Sequence, residues 1–223
     1  MRFFNTAGPV NPERHYCVPP LERIDLQDVL MLIDQQKYFV MHAPRQTGKT
    51  TCLLALMNYL NHQGRYRCVY ANVEAAQAAR ENVEQGMNDI LRELSRMARL
   101  FLKDLFPQEM MSSYLSPGGY GTALAGLLMD WAANDARPLV VLLDEIDTLV
   151  GDTLISVLRQ IRSGYTHLPI VRTIFHNRSS YAGCVTYAII AFMPAVKRMW
   201  SLAAAPSISS PNRCGWAILS KLR

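Results

Sequence analysis

One nine-residue stretch, Ala43-Pro44-Arg45-Gln46-Thr47-Gly48-Lys49-Thr50-Thr51, constrains this chain more than any other feature. Before it stands Tyr38-Phe39-Val40-Met41-His42, a short apolar and aromatic run that predicts a buried strand. After it Leu53, Leu56, Met57 and Leu60 recur at helical spacing, which predicts a helix starting near Lys49. A strand that turns through Gly-Lys-Thr straight into a helix aims loop N–H groups and the positive helix end at one point. That point suits a phosphate group. Pro44, Arg45, Gln46 and Thr47 would line the cradle, and Gly48 would let the backbone approach closely. Lys49 can reach β- and γ-phosphates, the Thr50 hydroxyl can ligate Mg²⁺, and Thr51 can bond an α-phosphate. Ala43 stands where the usual pattern has its first glycine, which is tolerable if that residue keeps a negative φ.

A second element lies about 95 residues downstream. Leu139-Val140-Val141-Leu142-Leu143 is a continuous apolar run, the mark of a strand covered on both faces, and it ends in Asp144-Glu145-Ile146-Asp147. Next to a phosphate loop, Asp144 would hold Mg²⁺ through water. Glu145 would orient and deprotonate an attacking water, the step that separates hydrolysis from binding. Asp147 would support Glu145 or the metal, or else cap the following helix.

The remaining pattern alternates strands with helices. Residues 1–22, with Pro9, Pro12, Pro19 and Pro20, predict an extended arm, and a first short helix follows over 23–35. Residues 68–73 read as a second strand. A long helical stripe runs through Met87, Ile90, Leu91, Leu94, Met97, Phe101 and Leu105, and Leu124 to Trp131 gives another helix. A last helical pattern continues from Leu154 to about Gly164. The expected fold class is therefore α/β, with a mostly parallel sheet. Pro19, Pro20, Leu21 and Arg23 could pack near a bound adenine or form a plain surface arm. His15, His42 and His62 show no ligand spacing and read as structural.

Five cysteines without a paired metal spacing imply reduced thiols, and neither a signal-peptide layout nor a membrane-length apolar run is present. A cytoplasmic protein with no membrane partner is the expectation.

Residues 1–165 resemble a bacterial AAA-like P-loop ATPase family, related to the additional-strand class of P-loop NTPases. The resemblance rests on Arg2-Phe3-Phe4-Asn5-Thr6-Ala7-Gly8-Pro9, His15-Tyr16 before Pro19-Pro20, Tyr38-Phe39-Val40, the Gly48-Lys49-Thr50 loop and Asp144-Glu145-Ile146-Asp147. It implies a three-layer αβα core over 23–165 that holds ATP and Mg²⁺. The Walker A loop is 44–51, the Mg²⁺ ligands are Thr50 and Asp144, and the catalytic residues are Lys49 and Glu145. The output partner, protein or nucleic acid, is unassigned, and an oligomer is compatible.

Residues 166–223 break the pattern. They hold seven basic side chains (Arg172, Arg178, Lys197, Arg198, Arg213, Lys221, Arg223) and no acidic one, where an ordinary segment of this length has about 7. The resembling family would continue here with a sensor strand between the loop strand and the acidic strand. Pairing the last base of each codon with the first two of the next, synonymous codons being free, allows another translation from about Pro169, including the strand-like SVILCGV. The expectation is a frame change near 166–169 that leaves the core incomplete on its C-terminal side and nucleotide binding weak. Val185 to Phe192 is apolar enough to substitute crudely for the lost strand. The rival expectation is a basic nucleic-acid-binding tail. The bases of the gene decide between them.

Overall fold

A computed structural model describes residues 3–5, 11, 13–35, 37–44, 47–116 and 118–167, and the backbone of 185–193 and 217–219. The side chains of His42, Pro44 and residues 164–167 lie outside that description, as does most of the tail. The elements are α1 (Leu26–Asp34), β1 (Phe39–Pro44), α2 (Lys49–Gln63), β2 (Arg67–Asn72), α3 (Val83–Met97), α4 (Phe106–Tyr114), α5 (Ala123–Ala133), β3 (Leu139–Asp144), α6 (Gly151–His167), β4 (Val185–Met193) and β5 (Ala217–Leu219). The chain is mixed α/β.

The sheet order is β2-β3-β4-β1-β5. β2 pairs with β3 in parallel, and β4 runs antiparallel to both β3 and β1, so β1, β2 and β3 point the same way. Their direction matches the expected parallel sheet, but the pairing does not. Three of the four pairings among the described residues are antiparallel, because both tail strands, β4 and β5, run the other way. β4 also fills the slot between β1 and β3, the crude substitution that the apolar run from Val185 to Phe192 predicts. It pairs Phe39 to Pro44 on one side and Leu139 to Asp144 on the other, so the backbone groups that face the slot have partners.

Alternating residues of a strand face opposite sides of a sheet, and all six residues of β3 are buried, so both its faces are covered. α2 lies along the sheet with Leu53, Leu56, Met57 and Leu60 fully packed. Asn61 ties it to β2: its Oδ1 accepts from the Cys68 N–H at 2.7 Å while its Nδ2 donates to the Cys68 carbonyl at 2.8 Å. α5 receives its N-terminal cap from another helix. Gln160 of α6, 2% exposed, accepts from the N–H groups of Leu124 and Ala125 and donates to the Tyr120 carbonyl. The long stripe predicted from Met87 to Leu105 is broken. α3 ends at Met97, a π turn spans Ala98–Leu102, and Phe101 and Leu105 stand 38% and 47% exposed. A π turn adds a residue per turn and rotates the stripe off the core.

The N-terminal arm folds on itself: Phe3 bridges His15, whose ring meets the Phe3 ring edge-on at 4.7 Å. The His15 Nδ1 also accepts from the Asn11 N–H at 3.0 Å, a structural role as expected. No helix among the described residues is long and apolar enough to cross a membrane.

Candidate functional site

Because β1 and β3 point the same way and flank one slot, their C-terminal ends open on the same edge of the sheet. In open α/β sheets that edge is where ligands bind. The two motifs, about 95 residues apart in sequence, meet there.

Gly48 caps α2 with φ +79°, a left-handed conformation that side chains rarely adopt. No side chain caps the helix, so its first N–H groups face the loop. The Arg23 guanidinium, reaching from the 3-10 turn at Pro20–Arg23, donates to the Thr47 carbonyl. It also stands where a Gly48 β-carbon would be, with Nη1 at 2.5 Å from that position. The turn itself is held to α2 by the Cys52 thiol, which donates to the Pro20 carbonyl at 3.2 Å. Arg23 therefore lies against the Thr47-Gly48 turn.

Lys49 is 5% exposed, with Nζ 3.4 Å from Asp144 Oδ1 and 3.8 Å from Glu145 Oε1. Neither approach makes a hydrogen bond, and the ammonium has no hydrogen-bond partner among the described residues. A buried, unsatisfied ammonium is costly, and an anion brought to the loop would satisfy it.

Asp144 is fully buried and well supplied with donors. Its Oδ2 accepts from the Thr50 hydroxyl at 2.8 Å and the Tyr70 phenol at 3.1 Å, and its Oδ1 accepts from the Glu145 N–H at 3.0 Å. Burial first, then the Asp144 charge, hold the Tyr70 phenol far above its ordinary range, so it stays a donor.

Glu145 sits just past β3 with φ +58°, uncommon for a residue with a side chain. Its carbonyl accepts from the Thr148 hydroxyl at 2.7 Å and the Thr148 N–H at 3.1 Å, which fixes the turn. Partial burial raises its carboxyl above the usual range. Lys49 pulls it back down, and Asp144, Asp147 and Glu74 push it up. Asp147 thus acts on Glu145 through charge.

Of the predicted site residues, Thr47, Gly48, Lys49, Thr50, Asp144 and Glu145 converge. Thr51 is buried in the first turn of α2, and Pro44 ends β1. Arg45 and Gln46 lie outside the described residues, as does the side chain of His42. Ala43 is buried in extended backbone opposite Thr186, so its methyl group is tolerated.

The donor set fits a magnesium nucleotide. No three His, Cys, Asp or Glu side chains gather among the described residues. Mg²⁺ requires no such cage, since one hydroxyl, one carboxylate, waters and phosphate oxygens complete its octahedron. Comparisons with protein-family models, with curated proteins and with solved structures found no match.

Proposed function

We propose that residues 23–165 are an ATP-binding core of the P-loop type, with a three-layer αβα plan, of the kind found in bacterial AAA-like ATPases. The observation that carries this reading is the buried, unsatisfied Lys49 ammonium at the uncapped start of α2, facing Asp144 and Glu145. Lys49 and the loop N–H groups would hold the phosphates. Thr50 and Asp144 would hold Mg²⁺, which supplies charge neutralisation at the phosphoryl oxygens when bound. Glu145 would orient water and take its proton.

Calorimetric titration with ATP–Mg²⁺, paired with a phosphate-release assay, tests the reading. Saturable binding lost in Lys49→Ala supports it; no binding by the wild-type chain refutes it.

The course of β4 favours a second reading, a nucleotide-binding remnant without a catalytic cycle. β4 runs opposite to its neighbours, so the start of the strand, near Val185, lies at the loop edge. The sensor strand expected there would end at that edge. Binding without turnover, even at high protein concentration, separates this reading from the first.

A further inference from the structure

Tyr70 belongs to neither motif, yet it touches the carboxylate on which the metal reading depends. It lies on β2 opposite Leu142, two residues before Asn72, which pairs with Asp144. Residues two apart share a face, and a long side chain reaches the diagonal neighbour on the next strand. The Tyr70 phenol accordingly crosses from β2 to Asp144 Oδ2. Thr50 approaches that same oxygen from α2, at 2.8 Å. The residue is 5% exposed, and Asp144 is fully buried, so water does not compete freely for this bond. A carboxylate at a strand end can rotate about its last torsion. With Thr50 its only donor on Oδ2, it would lose that partner whenever the hydroxyl turned to a metal.

We infer that Tyr70 is a positioning residue for Mg²⁺: its phenol holds Asp144 in the orientation that metal binding requires, through and after the release of the Thr50 hydroxyl. The inference rests on the ATP–Mg²⁺ reading above. Partners of this kind typically change metal affinity 10- to 100-fold when removed. Tyr70→Phe deletes one oxygen and keeps the ring, so the surrounding packing is preserved.

The test uses the full chain, a non-hydrolysable ATP analogue and Mn²⁺ as a paramagnetic stand-in for Mg²⁺. Nucleotide affinity is measured in a chelator, and Mn²⁺ affinity of the nucleotide complex is measured by electron paramagnetic resonance. For Tyr70→Phe the expected result is metal-free nucleotide affinity within about twofold of wild type and Mn²⁺ affinity about 10- to 100-fold weaker. In an Asp144→Asn background the same change should have no further effect on Mn²⁺, because Tyr70 acts through Asp144. Unchanged Mn²⁺ affinity, or equal losses of both affinities, overturns the inference and leaves the nucleotide reading standing. An additional loss in the Asp144→Asn background also overturns it. A wild-type chain that binds no nucleotide overturns both. Circular dichroism checks that each variant is folded. If Tyr70→Phe is not, Tyr70→Trp must show the same selective loss of Mn²⁺ affinity, and a Tyr70→Trp chain with wild-type Mn²⁺ affinity overturns the inference.

Discussion

Two buried cations, at opposite ends of the same pair of strands, meet two carboxylates each and solve the problem differently. At one end Lys49 faces Asp144 and Glu145 at 3.4 and 3.8 Å, with no hydrogen bond. At the other, about 16 Å along β2 from its rise per residue, Arg67 donates to Asp104 and lies 3.5 Å from Asp135. The Arg67 guanidinium also stacks over the Trp131 ring at 5.6 Å, and the Trp131 indole donates to the same Asp104 oxygen at 2.7 Å. Arg67 thus has a hydrogen-bonded carboxylate and a ring against it. The lysine is held short of satisfaction, which is the arrangement expected of a group awaiting a ligand. Such a cost is a common mark of a functional site.

The sharpest way to break this contrast is Glu145→Gln. It removes a proton acceptor without altering the fold's ion pairs at the far end. Phosphate release should fall by about 10²- to 10⁴-fold, while calorimetric nucleotide binding is retained. A Glu145→Gln chain with wild-type turnover would remove the catalytic role.

Arg67→Met addresses the opposite end. Removing one partner leaves Asp104 without its cation in a partly buried site, and the stability loss in a urea titration should be about 3 kcal/mol. Nucleotide affinity, measured where the chain is folded, should be unaffected. A loss confined to nucleotide binding would reverse the assignment of the two ends.

Smaller effects sharpen the comparison through pH. Lys49 lowers the Glu145 carboxyl while burial and neighbouring acids raise it. Lys49→Met therefore moves the Glu145 titration further upward, and carboxyl-resolved NMR should find it protonated at higher pH than in wild type. At the far end Asp135 is held down at about 2, chiefly by hydrogen bonds from Arg137, with burial acting the other way. A depressed carboxyl contributes stability above its ordinary value of 3.8 and loses it as pH falls toward 2. Arg137→Ala should therefore flatten the acid limb of the thermal midpoint slightly, since the Arg137 guanidinium is exposed and the pair is screened.

Much of the fold is legible because its signals are local. The apolar run over 139–143 reads as a doubly covered strand, and β3 is buried at every position. Leu53, Leu56, Met57 and Leu60 read as one helix face, and all four are packed. Phe101 and Leu105 misled because periodicity cannot register the π turn that ends α3. Gln160 gave no signal, since a glutamine capping a distant helix has no fixed spacing from it. Tyr70 was missed for a related reason: its bond to Asp144 depends on the register between β2 and β3, a non-local quantity. The mixed pairing has no local signal: β4 follows the helix α6 in chain order, as alternation predicts for a parallel strand, yet it runs antiparallel to β1 and β3.

The central claim is that Lys49 is held for a ligand and Arg67 for the fold. Lys49→Met tests it most directly, with urea stability and ATP–Mg²⁺ affinity measured on the same sample. Asp144 keeps donors from Thr50, Tyr70 and the Glu145 N–H when the ammonium goes. The buried Asp144 nevertheless loses its cation, so the expected result is a ligand-free stability loss of about 3 kcal/mol, together with loss of nucleotide binding under conditions where the chain is still folded. A folded Lys49→Met chain that still binds nucleotide as wild type does, or a folded Arg67→Met chain that has lost binding, would contradict the account.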